Sequence, residues 1–242
     1  MKPAALALLL LTACLATTAR SQSGRELIEE SLRRHAPPPY VYEEQTLVLS
    51  DGLDQHTVRT AKYYARRDAN GRKLVLVIST PAESQGMSVF AARDAHGGAR
   101  RGSDPSGQVF GSDFSVADIE GEQPQDFRYE RLDGQDLDRV PHHVLRALPR
   151  DQAVARATGY GARRIYMRKD NLFVSRIDYL DRQGRLAKRE TFRDLRTDDS
   201  GAWRAGMILM EDLHANRRTL LKVERRAYSA DYVPAAVFAG LQ

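Results

Sequence analysis

Polar and apolar residues alternate along most of this chain. Tyr40 to Ser50 (YVYEEQTLVLS), Gln55 to Arg67 (QHTVRTAKYYARR) and the stretch RKLVLVISTP read as strands. Period-two alternation puts every second side chain on one face of a pleated strand. Downstream, QDFRYERL, LDRVPHHVLRALP, ARRIYMRK, NLFVSRIDYLDR, RLAKRETFRDLR, AWRAGMILMEDL and RRTLLKVERRAY continue the pattern. Asp51-Gly52, Asn70-Gly71, Asp133-Gly134, Gln183-Gly184 and Ser200-Gly201 supply turn signals between them. These strands run well beyond the usual length of about five or six residues. Long strands joined by tight turns predict a single antiparallel meander.

The alternation is one-sided. Phe173, Ile177 and Tyr179 fall on one face, with Arg176, Asp178 and Arg182 on the other; Trp203, Met207 and Leu209 align, as do Val140, Val144 and Leu148. A sheet of this kind hides its apolar face by curling around helices, packing on a second sheet or enclosing a ligand. Helical signals are few. In GRELIEESLRRHAPPP, Leu27, Ile28 and Leu32 share a helical face before Pro37 to Pro39 stop it, and VPAAVFAGLQ suits a terminal helical turn. Arg93 to Gln108 is rich in glycine and charge and reads as a mobile loop inside one domain. RLAKRETFRDLR carries charge on both faces. That argues against an integral outer-membrane barrel, which needs a continuous apolar outer band.

The stretch GSDFSVADIEG, Gly111 to Gly121, breaks the strand pattern. Ser115 suits an N-cap, Asp118 then stands where a capping-box carboxylate belongs, and Phe114 and Ile119 are spaced as a hydrophobic staple. Gly121 closes the turn. Asp113, Asp118 and Glu120 do not have the spacing of a calcium loop. The segment reads as a structural crossover between two parts of the sheet.

Composition narrows the function classes. The chain has 242 residues, 42% hydrophobic and 29% charged, with net charge +5 and pI about 9.4. Its Lys and Arg are dispersed, without the concentrated patch that nucleic-acid binding requires. Residues 1–20 have the form of an export signal: Lys2 precedes an apolar run from Ala4 to Ala13, too short to span a bilayer. Two cleavage readings stand: LTAC as a lipobox with Cys14 the lipid-bearing residue, or TTA, Thr17 to Ala19, as an ordinary site. Cys14 is the only cysteine, so the body, residues 21–242, forms one domain without internal disulfides. His142 and His143 are adjacent and point to opposite faces of a strand, and the other four histidines lie far apart, so no metal site is expected. No Gly-x-Ser-x-Gly, phosphate-loop or dinucleotide fingerprint occurs. Neither an enzymatic activity nor a cofactor is expected.

GSDFSVADIEG, followed by FRYERLDGQDLDRVPHHVLRALP, resembles the bacterial outer-membrane lipoprotein-sorting-like family, relatives of the LolA/LolB carriers. Gly111, Ser112, Asp113, Phe114 and Asp118 carry the most specific part. SQGMSVF, YGARRIYMRKDNLFVSRIDYLDRQGRLAKRETF and AWRAGMILMEDLHANRRTLLKVE extend the likeness over roughly Leu27 to Leu241. The family's aromatic-rich strand before the motif is replaced here by Arg93 to Gln108. The resemblance implies a half-open antiparallel β-barrel with small lid helices, holding an acyl chain, lipid or lipoprotein in the periplasm. An RND/MMPL-type exporter is the implied partner, and a lipid on Cys14 would be the only membrane anchor. The sheet offers more apolar face than its few helices can cover, so Leu74, Leu76, Ile78, Phe127, Tyr129, Val144, Met167, Phe173, Ile177, Met207 and Leu209 are the candidate lipid-binding residues of the concave face. An adaptor subunit of a transporter without its own ligand, or an enzyme with scattered catalytic residues, are the competing classes.

Overall fold

A computed structural model describes residues 22–52, 55–95 and 100–239. The expected export signal, Cys14 included, and the last three residues lie outside the described residues. A helix, α1 (Gly24–Arg34), precedes the strands β1 (Tyr40–Ser50), β2 (His56–Asp68), β3 (Gly71–Thr80), β4 (Ser88–Arg93) and β5 (Arg100–Gly102). The short helix α2 (Val116–Glu120) then leads to β6 (Phe127–Leu137) and β7 (Val140–Pro149). After α3 (Gln152–Thr158) come β8 (Ala162–Arg168), β9 (Val174–Leu180), β10 (Leu186–Thr197), β11 (Trp203–Asp212) and β12 (Arg217–Ala227). The chain closes on single helical turns at Ala230–Tyr232 and Ala235–Phe238.

The twelve strands form one antiparallel sheet in the order β5-β4-β3-β2-β1-β12-β11-β10-β9-β8-β7-β6. Two meanders, β1 to β5 and β6 to β12, are joined where β12 returns to pair with β1, from Tyr42 opposite Ala227 to Ser50 opposite Arg218. Strand boundaries match the alternation closely, but one turn moves. The expected Asp133-Gly134 turn lies inside β6, at a bulge between Leu132 and Gln135. The reversal falls on Asp138 and Arg139, both at positive φ (50° and 64°), the conformation of the twist-matched hairpin turn. Gly134 is needed where it stands, because a Cβ there would sit 2.9 Å from the His142 carbonyl oxygen. The expected loop Arg93 to Gln108 likewise contains β5, whose three residues pair with Ala91 to Arg93.

The sheet is rolled and not closed. Ten strand steps separate β4 from β6, about 48 Å if flat at the usual spacing. Yet Arg93, at the end of β4, pairs at 3.1 Å with Asp126, the residue before β6. Bulges in five of the strand pairs contribute the coiling that brings these edges together.

Leu47, Leu76, Leu145, Met167 and Met210 are fully buried on the inner face. The outer face of β1 to β4 is covered by the C-terminal turns, with Val233 and Phe238 packed on Tyr42 and Val75, and Tyr42 stacked on Tyr232. Helix α1 opens with a capping box between Ser23 and Glu26. It buries Leu27 and Ile28, whereas Leu32, expected on the same face, is 40% exposed. Ser31 takes that buried place and donates to the Leu172 carbonyl at 2.7 Å. Two bonds fix the helix end to β11: the Arg204 guanidinium donates to the His35 carbonyl, and the Trp203 amide donates to His35 Nδ1.

Candidate functional site

The inner face is closed by a segment that is mostly not helical. Residues 103–126 cross from one sheet edge, β5, to the other, β6, and lie over the mouth between them. The crossover expected from the sequence is thus the lid itself. Its local geometry follows that reading closely. Ser115 caps α2, accepting from the Asp118 amide, while Asp118 Oδ2 accepts from the Ser115 amide at 2.8 Å. Gly121 ends the helix at φ 78°. A tight turn at Phe110 and Gly111, both at positive φ, lets Val109, Phe110, Phe114 and Val116 point inward together. They pack against Leu47, Tyr63, Leu74, Leu76, Ile78, Met210 and Leu221.

Around its rim the segment is held by charge. Asp113 is almost fully buried; it accepts from Thr219 Oγ1 at 2.8 Å and from Arg217 Nε at 3.1 Å, while its own amide donates to Thr219 Oγ1. Lys188 donates to the Asp113 carbonyl. Glu120 accepts from Arg93 and Arg100 at 3.1 and 2.5 Å, and its carbonyl takes a bond from Arg72. Glu122 accepts from the Tyr129 hydroxyl and pairs with Arg163 at 3.0 Å. By contrast, among the described residues the backbone-to-backbone hydrogen bonds that join this segment to strands lie at its two ends, where the Ser103 amide donates to the Phe90 carbonyl and the Phe127 amide donates to the Pro124 carbonyl.

Beneath this segment lies a buried polar cluster. Arg163 of β8 is 4% exposed, and its guanidinium lies 4.5 Å from the Phe127 ring centre and 5.5 Å from that of Tyr179. Its Nε is buried without a hydrogen-bond partner, as is Asp118 Oδ1. The Tyr160 hydroxyl donates to Asp118 Oδ2 at 3.1 Å, and the Tyr179 hydroxyl donates to Glu190 at 2.7 Å. Burial, aided by the Asp118 charge, pushes Glu190 up to about 8. Burial also drives Tyr160 and Tyr179 well above the usual phenol range. A carboxyl neutral at pH 7 and a fixed cation therefore share one dry interior.

The candidate lipid-binding residues divide into four groups. Leu74, Leu76 and Ile78 lie in the core under the lid segment, and Phe127, Tyr129, Met167 and Ile177 under α1. Phe173 stands at the end of the interior, with His35 and Phe192 against its ring. Val144, Met207 and Leu209 are on the opposite face. Register puts Val144 beside Tyr166, and Met207 and Leu209 beside Lys222 and Leu220, whereas Leu145, Ile208 and Met210 turn inward. Alternation gives two faces without saying which is concave, and in these strands the apolar residues occupy both. The motif residues Gly111, Ser112, Asp113, Phe114 and Asp118 all belong to the lid segment.

Sequence reasoning missed Arg163, Glu190, Tyr160 and the partnership of Glu122. The one signal was RLAKRETFRDLR, a strand with no apolar face although it sits mid-sheet. The expected apolar hollow does not correspond to either of the two best-formed recesses of the described residues. The lid segment and α1 cover the inner face with their own side chains, and the recesses of about 530 and 510 Å³ are lined mainly by charged and hydroxyl-bearing groups. Among the described residues no group of three or more His, Cys, Asp or Glu could hold a metal ion.

The rolled, unclosed antiparallel sheet is shared with solved structures of low sequence identity. A LolA superfamily protein from Nitrosomonas europaea shares it at TM-score 0.69 and 14% identity, over 90% of this chain and 98% of that one. A domain named for outer membrane lipoprotein sorting, from Vibrio parahaemolyticus, matches at 0.75 and 17%, over 90% and 96%. A DUF1329 family protein from Desulfovibrio piger matches at 0.75 and 20%, over 90% and 98%. No curated protein matches the chain. A family model described as "Uncharacterized protein" matches residues 70–239, and the chain belongs to that family.

Proposed function

We propose that the protein is an exported, non-enzymatic carrier that shelters acyl chains of a lipid or lipoprotein on the inner face of its sheet. Residues 103–126 are the stopper that leaves to admit them. The observation that carries this reading is how the stopper is attached. Between its two ends, where backbone bonds at Ser103 and Pro124 tether it, it meets the strands through side chains and rim ion pairs, so its middle can swing out without unpairing the sheet. The apolar part of the exchange is close to balanced. Exposing Val109, Phe110, Phe114 and Val116 costs about 6–12 kcal/mol at about 1.5–3 each. A sixteen-carbon chain recovers about 12 kcal/mol at about 0.8 per methylene. The fold relative named for outer membrane lipoprotein sorting supports the same reading. Export to the periplasm, an anchor on Cys14 and an RND/MMPL-type exporter as partner complete the proposal. The self-filled interior favours a second reading, an adaptor subunit with no ligand.

Native mass spectrometry of the exported protein decides between the two. The carrier reading expects co-purified lipid and displacement by a fluorescent fatty acid. A D113C/T219C pair, on side chains that touch across the stopper, should block probe uptake when oxidised and restore it when reduced. No lipid and no probe binding leaves the adaptor. Uptake that continues with the stopper locked places the site elsewhere.

A further inference from the structure

The stopper's composition says what kind of cargo replaces it. Between Ser103 and Asp126 stand six acids, Asp104, Asp113, Asp118, Glu120, Glu122 and Asp126, and no lysine or arginine, in a chain with 37 basic side chains against 32 acidic. The sheet answers with Arg72, Arg93, Arg100, Arg163, Lys188 and Arg217, each bonded to the stopper. Most of these sit near the rim, and Arg163 is the most deeply buried of them. It is 4% exposed, its Nε has no partner, and among the described residues its carboxylate partner is the stopper's Glu122. Removing Glu122 leaves a buried cation on a shelf made by Phe127, Tyr160 and Tyr179. A neutral cargo would strand that charge, at a cost of the order that makes breaking buried ion pairs strongly destabilising.

We infer that the cargo is an anionic amphiphile whose carboxylate or phosphate head group takes the place of Glu122 on Arg163 while its acyl chain takes the place of the stopper's apolar side chains. The stopper is then an internal copy of the cargo, acidic where the cargo is acidic and apolar where it is apolar. This inference rests on the carrier reading and adds the chemical class of the ligand.

The test compares three single-chain probes of equal length, oleate, oleoyl-lysophosphatidylglycerol and oleyl alcohol, with inorganic phosphate as the bare anion, by isothermal titration at pH 7. Oleate, the lysophospholipid or both should bind about tenfold or more tighter than the alcohol, the factor one charge-assisted hydrogen bond supplies. Which of the two binds tighter identifies the head group as carboxylate or phosphate, and phosphate alone should not compete. In R163Q the ratio of anionic to neutral affinity should fall to about twofold or less. In E122Q the ratio should persist while every chain-bearing probe binds tighter, because the stopper is weakened but Arg163 is kept. Reading a ratio removes the effect of stopper opening. Equal binding of all three chains, competition by phosphate alone, or a ratio unchanged in R163Q overturns the inference and leaves the carrier intact; no binding of any chain overturns the carrier itself. If R163Q does not fold, oleate carrying a diazirine beside its carboxyl should label the peptide containing residue 163 in the parent protein, and labelling confined to other strands overturns the assignment.

Discussion

Glu190 gives the sharpest test of the interior as described. It stands on the inner face of β10, opposite Ile177 and Met210, and is 4% exposed. Burial and the nearby Asp118 charge raise its pKa to about 8, against the opposing pulls of the Tyr179 hydroxyl and the Arg163 charge. In the unfolded chain a glutamate ionises near about 4.3. Between those values the folded protein keeps a proton that the unfolded chain releases. Stability is therefore unpenalised below about pH 4.3 and falls by about 1.4 kcal/mol for each pH unit as pH rises toward 8. By pH 7 the accumulated cost is about 3.5 kcal/mol, and above 8 it stops growing. Glu190→Gln retains an acceptor for Tyr179 and cannot ionise. Urea titrations followed by Trp203 fluorescence, run on both proteins from pH 4.5 to 8.5, isolate this group because every other titration is common to the pair. The two should be nearly equal at the acid end, and the amide variant should be more stable by about 3 kcal/mol at neutral pH. A difference that does not change with pH, or one that grows toward acid, would refute the account of a carboxyl whose burial outweighs the pull of the nearby Arg163.

Three further outcomes test the packing. Thr219→Val removes the hydroxyl that both accepts from and donates to the buried Asp113, and should cost about 1–3 kcal/mol in urea, with faster amide exchange concentrated in residues 109–121. Gly121→Ala meets open space, so its cost is backbone strain alone at φ 78°, ψ −169°, about 1–3 kcal/mol by thermal unfolding. Met210→Ala, on the inner face, should lose about 2–5 kcal/mol, whereas Met207→Ala, three residues away on the other face, should lose less than about 1.5 kcal/mol; equal losses would contradict the register of β11 against β12.

Much of the secondary structure was legible. β1 runs from Tyr40 to Ser50 as the alternation says, and the Ser115 to Gly121 capping geometry was readable to the residue. Both are local: a strand needs only its own period, and a capping box needs only residues three apart. Turns stabilised by their own side chains were equally plain, as where Asp181 and Asp198 accept from amides beyond them in the β9–β10 and β10–β11 hairpins. The misplaced β6–β7 turn shows the limit. Asp133-Gly134 has the better local turn chemistry, but the chain spends that glycine on a bulge against the His142 carbonyl and reverses at Asp138-Arg139.

The sequence by itself determined that this is an antiparallel β protein with one short amphipathic helix, no disulfide in its body, and a capped crossover at residues 111–121. Those properties follow from period, turn chemistry and composition, which act over a few residues. The tertiary structure alone decided that β12 pairs with β1, that the sheet rolls until Arg93 reaches Asp126, and which face of each strand lies inside. It also decided that the crossover becomes a stopper whose Glu122 lies on Arg163, forty-one residues away along the chain. Each of these joins residues distant in sequence, and which distant partners meet depends on the summed twist and bulging of twelve strands, a quantity no single strand records.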